Sequence, residues 1–391
     1  MYRYHSTRIN PDDVFICLPK GERYILEALQ KGAASYIKCD RESLGVLADD
    51  YFGCPSKKLT VIGITGTNGK TSVTHFVASG LKEAGFHPYV IGTLNSPLTT
   101  PESLDIHEIM AKHLENGGTH FVMEVSSHAI DQKRIAGVRF AIKCLTNITQ
   151  DHLDYHLTFE QYQKTKLSFM EEGGGLRLYP EDFQKEPIDF PVPLPGDFNV
   201  RNIQAAAAIL RFCGISTSVI SKSLSQVSAP PGRFESIKEG QPFLVIVDYA
   251  HTPDGLENVL KSIKDIARKQ NGRVLTLFGC GGNRDRGKRP QMGKIATLLS
   301  DYVVITHDNP RTEDLDQIIT DIVKGIPDNA TRYQVIPDRK EAIFSIIKTA
   351  NPNDVVLLAG KGHETTQILI DGPISFDDRV IARQAIRGRS L

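Results

Sequence analysis

The segment Gly66-Thr67-Asn68-Gly69-Lys70-Thr71-Ser72 brings two glycines, a lysine and three hydroxyl side chains together. Glycines let backbone amides approach phosphate oxygens, and a helix start adds positive potential. The lysine neutralises terminal phosphates, and a threonine hydroxyl can hold magnesium. The ligand this chemistry suits is a nucleoside triphosphate. A strict phosphate-loop pattern would need glycine at position 64, where Ile64 stands, so the loop is a compressed version of it. The plainer alternative is a glycine turn carrying a surface lysine. Glu124 closes the apolar run Phe121 to Val125 and so places a carboxylate near the C-terminal end of a predicted strand, where α/β sheets bind ligands. Arg311 follows Asp308-Asn309-Pro310, and its guanidinium fork matches a carboxylate by paired hydrogen bonds. An arginine capping a structural turn is the competing reading. Taken singly, His152 reads as a structural histidine, and Lys164 and Lys166 as exposed helix charges.

The surrounding pattern positions these residues. Leu59 to Ile64 is a β-rich run entering the glycine turn, and Ser72 to Ala84 has helical periodicity, which predicts strand, loop and helix. Runs at Phe121 to Val125 and Ala141 to Leu145 alternate with helical segments, predicting a mostly parallel sheet covered by helices. Gly173-Gly174-Gly175 and the stretch Pro187 to Pro195 read as a loop or remnant insertion before an alanine-rich helix, Asn202 to Phe212. Ahead of this lies a small α/β cap, with apolar stretches Val14 to Leu18 and Ala33 to Ile37 around a helical pattern from Tyr24 to Leu29. Ala229-Pro230-Pro231-Gly232 reads as a hinge. Beyond it, runs Phe243 to Val247, Val274 to Phe278, Tyr302 to Ile305 and Val355 to Leu358, separated by helical patterns such as Leu256 to Ala267 and Ile318 to Ile326, predict a second doubly wound unit. The expected fold is therefore α/β in three domains: a cap over 1–57, a phosphate-loop domain over 58–231 and a Rossmann-like domain over 232–391.

Length and composition agree. At roughly 100 to 200 residues per domain, 391 residues suit two or three domains. Hydrophobic residues at 40% and charged ones at 24% exclude a disordered or fibrous chain. Forty-six basic side chains balance 46 acidic ones, so a coat for nucleic acid or an anionic membrane is not expected. No apolar run approaches the roughly 18 residues that span a bilayer, and the N-terminus lacks a secretory apolar core; a cytoplasmic monomer is expected. The six cysteines form no CxxC pair, which fits reduced thiols and offers no zinc site.

Thr65 to Ser72, Glu124-Val125-Ser126-Ser127-His128 and Asn147-Ile148-Thr149-Gln150-Asp151-His152-Leu153-Asp154 together resemble the Mur ligases of peptidoglycan synthesis. Gly279 to Pro290, Asp308-Asn309-Pro310-Arg311 and Gly360-Lys361-Gly362-His363-Glu364 resemble the MurE branch, which adds the third amino acid to UDP-N-acetylmuramoyl-dipeptide. The resemblance implies an ADP-forming amide ligase using ATP and Mg2+. A substrate carboxylate attacks the γ-phosphate to give an acyl phosphate, and the incoming amino group displaces phosphate. It implies that Lys70, Glu124, His152 and Lys166 are catalytic, that Thr71, Glu124 and His152 hold magnesium, and that Lys166 becomes an N-carboxylysine ligating a second ion. Nucleotide contacts are implied for residues 66–72, Asn199, Asn202, Arg233, Asp248 and His251.

For the substrates, the resemblance implies Thr99, Thr100, Ser126, Gln132 and Arg134, with Ser6, around the muramoyl-peptide. It implies Arg284, Asp308, Asn309, Arg311, Gly360 and Glu364 around meso-diaminopimelate. Two segments depart from the family pattern. An Asp-Ser-Arg motif is represented by His5-Ser6-Thr7, so only Ser6 is kept, and an Asp-Gly-His stretch has shrunk to Lys20-Gly21-Glu22-Arg23. A long β-rich excursion after Lys166 is reduced to Phe169 to Leu194. Both shortenings point toward the acceptor's outer face, so a MurE-like ligase acting on a smaller, non-nucleotide carboxylate is the alternative. Folate polyglutamylation and a non-catalytic nucleotide-binding scaffold are further rivals. The Glu-Val-Ser-Ser-His and Asp-Asn-Pro-Arg runs oppose the first, and the joint presence of Lys70, Glu124, His152 and Lys166 opposes the second.

Overall fold

The computed structural model describes residues 1–330 and 332–389. Its first sheet has strands β1 (Tyr2–Arg3), β2 (Val14–Cys17) and β3 (Ser35–Lys38), all parallel, with β2 in the middle. Helix α1 (Ile25–Gln30) lies between β2 and β3, and α2 (Arg41–Tyr51) follows, started by the Asp40 carboxylate accepting from Ser43 N at 2.7 Å.

The second sheet is built from β4 (Thr60–Thr65), α3 (Lys70–Glu83), β5 (Pro88–Ile91), α4 (Ser103–Glu115), β6 (His120–Glu124), α5 (Ser127–Asp131), β7 (Ile142–Leu145), α6 (Leu153–His156), α7 (Phe159–Glu171), β8 (Leu176–Leu178), α8 (Pro180–Phe183), α9 (Asp197–Phe212) and α10 (Thr217–Leu224). Its five strands are parallel in the order β5-β6-β4-β7-β8. β4 and β6 are almost wholly buried, as central parallel strands covered on both faces must be. All the C-terminal strand ends therefore open on one edge, where the phosphate loop lies. α9 begins at Asp197, five residues ahead of the predicted Asn202: Gly196, at φ 95°, turns the chain, and Asp197 favours the positive end of the helix. The Gly173–Pro195 interruption was expected as loop, yet it contains an edge strand, β8, and one short helix, α8.

The third sheet comprises β9 (Glu235–Ile237), β10 (Leu244–Asp248), α11 (Pro253–Lys269), β11 (Val274–Phe278), α12 (Lys288–Leu299), β12 (Tyr302–Ile305), α13 (Leu315–Val323), β13 (Tyr333–Val335), α14 (Arg339–Thr349) and β14 (Val355–Ala359), in the order β13-β12-β11-β14-β10-β9. Only β9 is antiparallel. A hairpin, β15 (Thr366–Leu369) and β16 (Gly372–Ser375), precedes α15 (Asp378–Arg387). The hairpin was not anticipated, although Asp371-Gly372 is a turn signal.

The outer units dock on the central one. Leu44 and Ala48 of α2 pack with Leu104 of α4, Tyr4 hydrogen-bonds Asp105, and Arg41 Nε meets Glu102 Oε2 at 3.0 Å. On the other side Phe198 of α9 packs into the third unit's core, 5.9 Å from the Phe234 ring, and Asn68 Nδ2 donates to Asp254 Oδ2 at 2.8 Å.

Candidate active site

The phosphate loop needs glycine where the chain supplies it. Gly66 has φ 145°, and a Cβ there would lie 1.9 Å from Thr146 Oγ1; Gly69 has φ 86°, and a Cβ would lie 2.5 Å from Asn202 Oδ1. The requirement thus falls at 66 rather than 64. Asn147 shapes the loop: its backbone carbonyl accepts from Thr67 N at 2.9 Å, its Oδ1 accepts from Asn68 N at 2.9 Å, and its Nδ2 donates to Asn68 O at 3.0 Å.

Two lysines converge on one carbonyl. Lys70 Nζ donates to Gly66 O at 2.7 Å and Thr67 O at 2.8 Å, while Lys166 Nζ donates to Gly66 O at 2.9 Å. Lys166, on α7, is only 1% exposed, and its amine lies 4.9 Å from the Tyr162 ring centroid. Burial, then the charge of Lys70, pushes the Lys166 pKa well down, against the pull of Asp151; burial likewise lowers Lys70, opposed by Glu124. Two adjacent amines so depressed make a receptor for a polyanion. They also leave Lys166 nearer the neutral amine that can add carbon dioxide.

Glu124, at the end of β6 and 2% exposed, is surrounded by donors. Thr71 Oγ1 donates to both its oxygens at 3.1 Å, Thr93 N to Oε1 at 2.9 Å and Thr93 Oγ1 to Oε2 at 3.1 Å. His152 caps α6 at φ 55° with its Nε2 3.3 Å from Asp151 Oδ2, and burial brings its pKa down to about 3, so a neutral imidazole lines the cleft. Glu124, His152, Thr71, Lys70 and Lys166 line one cavity of about 150 Å³. Ser127 lines it too, and its buried Oγ has no hydrogen-bond partner among the described residues. Oxygen donors grouped around an ionised carboxylate suit a hard divalent cation, so the residues present fit magnesium.

Across the loop, a second cavity of about 300 Å³ lies between Asn68, Ser72, Phe183, Phe198, Asn202 and Asn258, with Gly69, Asn199 and Arg233 also on its wall. It has room for a purine with apolar faces. Asn199 is less open than expected: its Nδ2 donates to Pro195 O at 2.8 Å, holding the turn into α9. Arg233 enters from the third unit, its Nη2 donating to Thr71 Oγ1 at 3.2 Å and its guanidinium 4.3 Å from the Tyr249 ring, while its Nε is buried without a partner. Asp248 borders the nucleotide cavity, but its carboxylate accepts from Phe234 N at 2.6 Å and Ala250 N at 2.7 Å, so its contribution is to shape the loop carrying Arg233. His251 lines the phosphate cavity with its Nε2 3.7 Å from Asp151 Oδ2.

The residues expected around the incoming amino acid form a connected set on the third sheet's C-terminal edge. Asn309 donates to Glu364 Oε2 at 2.8 Å, and buried Lys361 donates to Asn309 Oδ1 at 3.1 Å and Glu364 Oε2 at 2.9 Å. Gly360, at φ 110°, backs onto Asp308, since a Cβ there would lie 2.7 Å from Asp308 Oδ2. Arg311 Nη1 donates to Gly282 O at 2.8 Å and Asn309 O at 3.2 Å, which fixes the plane of its guanidinium. Arg284 stands nearby and half exposed, 3.8 Å from Asp154.

Two residues expected around the acceptor turn their hydroxyls to internal partners. Thr100 is fully buried; its hydroxyl donates to Glu124 O at 2.9 Å and accepts from Ser126 N at 3.0 Å, so it pins the strand end rather than facing the cleft. Ser6 is buried in the first unit and donates to Glu27 Oε2 at 2.9 Å, away from all three described cavities. Thr99 and Ser126 do line the phosphate cavity. Gln132 and Arg134 sit beside it and bind each other, Arg134 Nε to Gln132 Oε1 at 3.0 Å, with Arg134 Nη1 on Thr100 O at 3.0 Å.

Sequence reasoning missed Thr93, Asp151 and Lys288. Asp151 is buried beside His152; burial raises its pKa, but the neighbouring His152, His251 and Lys288 outweigh this and hold it well below the usual carboxylate range. Lys288 Nζ comes within 3.9 Å of it from α12. Asp151 could have been singled out from its place beside His152 and Lys288 from its place in the Gly279 to Pro290 stretch, whereas Thr93 stands in a segment with no local signal.

The comparisons follow the same division. A description of the Mur ligase middle domain matches residues 64–178, and one of the Mur ligase glutamate ligase domain matches 232–362. The UDP-N-acetylmuramoyl-L-alanyl-D-glutamate--2,6-diaminopimelate ligase of Solibacter usitatus is 39% identical, with 98% of this chain and 93% of that protein covered. Its namesake in Syntrophomonas wolfei is 36% identical over 99% and 94%. The Solibacter comparison extends over 462 positions against 391 residues here, so at least 71 positions, 462 less 391, have no counterpart in this chain. A solved structure of a ligase with the same name matches with a TM-score of 0.62 at 29% identity over 99% and 94% of the chains. Thermotoga maritima MurF ligase in complex with ADP, at 16% identity, shares the fold with a TM-score of 0.68. Two matched domains and near-complete coverage of relatives above 30% identity make this chain a member of the Mur ligase family.

Proposed function

We propose that the chain joins meso-diaminopimelate to UDP-N-acetylmuramoyl-L-Ala-D-Glu with conversion of ATP to ADP and phosphate, residues 1–57, 58–231 and 232–391 serving acceptor, nucleotide and amino acid. The observation that carries this reading is the convergence of Lys70 and Lys166 on Gly66 O, opposite Glu124 and His152, in a cleft that Arg233 closes from the third unit. The γ-phosphate sits over the loop amides and Lys70, whose cation offsets charge as the acceptor carboxylate attacks. Magnesium held by Thr71, Glu124 and His152 would supply further charge neutralisation. Lys166, biased toward its neutral amine by its depressed pKa, adds carbon dioxide through that amine and releases one proton, giving a carbamate that could ligate a second ion. Arg233 and His251 cover the acyl phosphate from the third unit and keep water from it. The amine of the second substrate then displaces phosphate, while Arg311, with Arg284, grips its distal carboxylate. ADP bound in the related Thermotoga ligase supports ATP as the nucleotide.

A second reading is ligation to a smaller carboxylate. It is favoured by the missing 71 or more positions and by a Ser6 hydroxyl already engaged with Glu27. Phosphate release from ATP, with UDP-N-acetylmuramoyl-L-Ala-D-Glu plus meso-diaminopimelate and with each omitted, tests the choice. Release requiring both, with a product mass equal to the amide, supports the first reading. ATP binding without release moves the search to smaller acceptors.

A further inference from the structure

A third cavity, about 640 Å³, lies at the opposite edge of the central sheet from the phosphate loop. It is bordered by Phe140, two residues ahead of β7, by Gly175, immediately ahead of β8, and by Glu42 and Val46 of α2. In a parallel sheet the N-terminal strand ends face away from the C-terminal ends, so neither ATP nor the reacting carboxylate reaches it. Its wall joins the first unit to the central one.

The chemistry of its lining is specific. Lys143, on β7, is 4% exposed; its Nζ donates to Glu172 O and lies 5.3 Å from the Phe169 ring centroid. An ammonium has three donors, and among the described residues this is the one acceptor it has. Burial, then Arg177, lowers its pKa, and the charge of Glu172 opposes them only in part. Gly173 lies beside it, and even a Cβ there would stay 3.8 Å from Nζ. Around the cavity Lys133, Arg139 and Lys143 face Glu42 and Glu172, leaving one positive charge uncompensated. Val46, Ile135 and Phe169 supply apolar wall. The ligation chemistry uses none of these groups.

We propose that this cavity is a second ligand site, for a small organic anion with an apolar body whose head group reaches Lys143. Carboxylate and phosphate head groups share that chemistry.

Anilinonaphthalene sulfonate, an apolar ring system with one anionic group, is the probe, titrated into the full chain in the presence of ATP and magnesium. Saturable fluorescence with one dye per chain is expected. Val46→Trp, at an exposed position that would fill the cavity, and Lys143→Met, which removes the charge, should each weaken it about tenfold, the value of one charge-assisted hydrogen bond. Thermal denaturation checks that each variant folds, and Val46→Trp carries the test if Lys143→Met does not. Displacement by phenylacetate or by phenyl phosphate then tells which head group is preferred. Unchanged dye affinity in folded Val46→Trp, dye that ATP competes away, or dye that neither anion displaces would overturn the proposal.

Discussion

At the scale of single residues, charge crowding explains more than identity. Lys166 looks like an ordinary helix lysine until the fold sets it beside Lys70 on one carbonyl, where burial and the neighbouring cation depress its pKa. If carbamylation is what this environment selects, Lys166→Ala should lose turnover by several orders of magnitude and recover part of it with added short-chain carboxylate. An assay of phosphate release with and without acetate or formate checks this, and absence of rescue would remove the carbamate from the mechanism. Arg311 is held by Gly282 O and Asn309 O through one nitrogen, leaving the rest of the fork to a ligand. Arg311→Ala should raise KM for diaminopimelate roughly 10- to 100-fold, the worth of a bidentate pair, and leave KM for ATP within about twofold. Equal changes in both would make Arg311 structural.

At the scale of elements, the phosphate loop and the loop leading to α12 are built to different tolerances. Gly69→Ala would put a Cβ against Asn202 Oδ1 at a left-handed backbone position. A loss of about 1–2 kcal/mol in thermal stability and weaker ATP binding are expected, measured by calorimetry with and without nucleotide. The second loop is tied by Glu313, which accepts from Arg289 Nη1 and Nη2 at 2.8 Å and pairs with Arg286 at 2.9 Å. The Arg289 hydrogen bonds are the main reason the Glu313 pKa falls to about 2. Because the folded pKa is depressed, this stabilisation is complete above the unfolded value near 4.3 and disappears as pH falls toward 2. Glu313→Gln should therefore flatten stability against pH between about 4.5 and 2, as followed by urea midpoints; an unchanged acid slope would show that Glu313 does not control it.

At the scale of the whole molecule, function depends on contacts that link distant stretches of chain. Asn68 reaches Asp254, Gln150 Nε2 reaches Asp285 Oδ2 at 3.3 Å, and Arg233 reaches Thr71, so the central and third units meet across the phosphates. Asp254→Ala removes one closing bond, the one that holds the side chain of the loop residue Asn68. A net loss of about 1 kcal/mol implies a rise in KM for ATP of about 3- to 10-fold with the melting temperature of the ATP-free protein little changed. Loss of stability without a change in KM would make that bond merely structural.

Much of this was legible along the chain. Contiguous motifs survive as local structure: β4, the glycine turn and α3 follow from one run of residues, and β11 and β12 fall where apolar runs predict them. Sheet class is similarly carried by local pattern, whereas the grouping of Asp308 to Arg311 with Gly360 and Glu364 is implied by the family resemblance. What the sequence did not carry depends on which neighbour each side chain meets. Thr100 and Ser6 have suitable hydroxyls, but packing turns both toward internal partners. Thr93 reaches Glu124 across 31 positions of sequence, and Lys143 is an unremarkable strand lysine until the sheet buries it. Periodicity and spacing report the preferences of a segment for itself. Burial, pKa and hydrogen-bond assignment are set by groups far away in sequence, and only the folded chain brings those together.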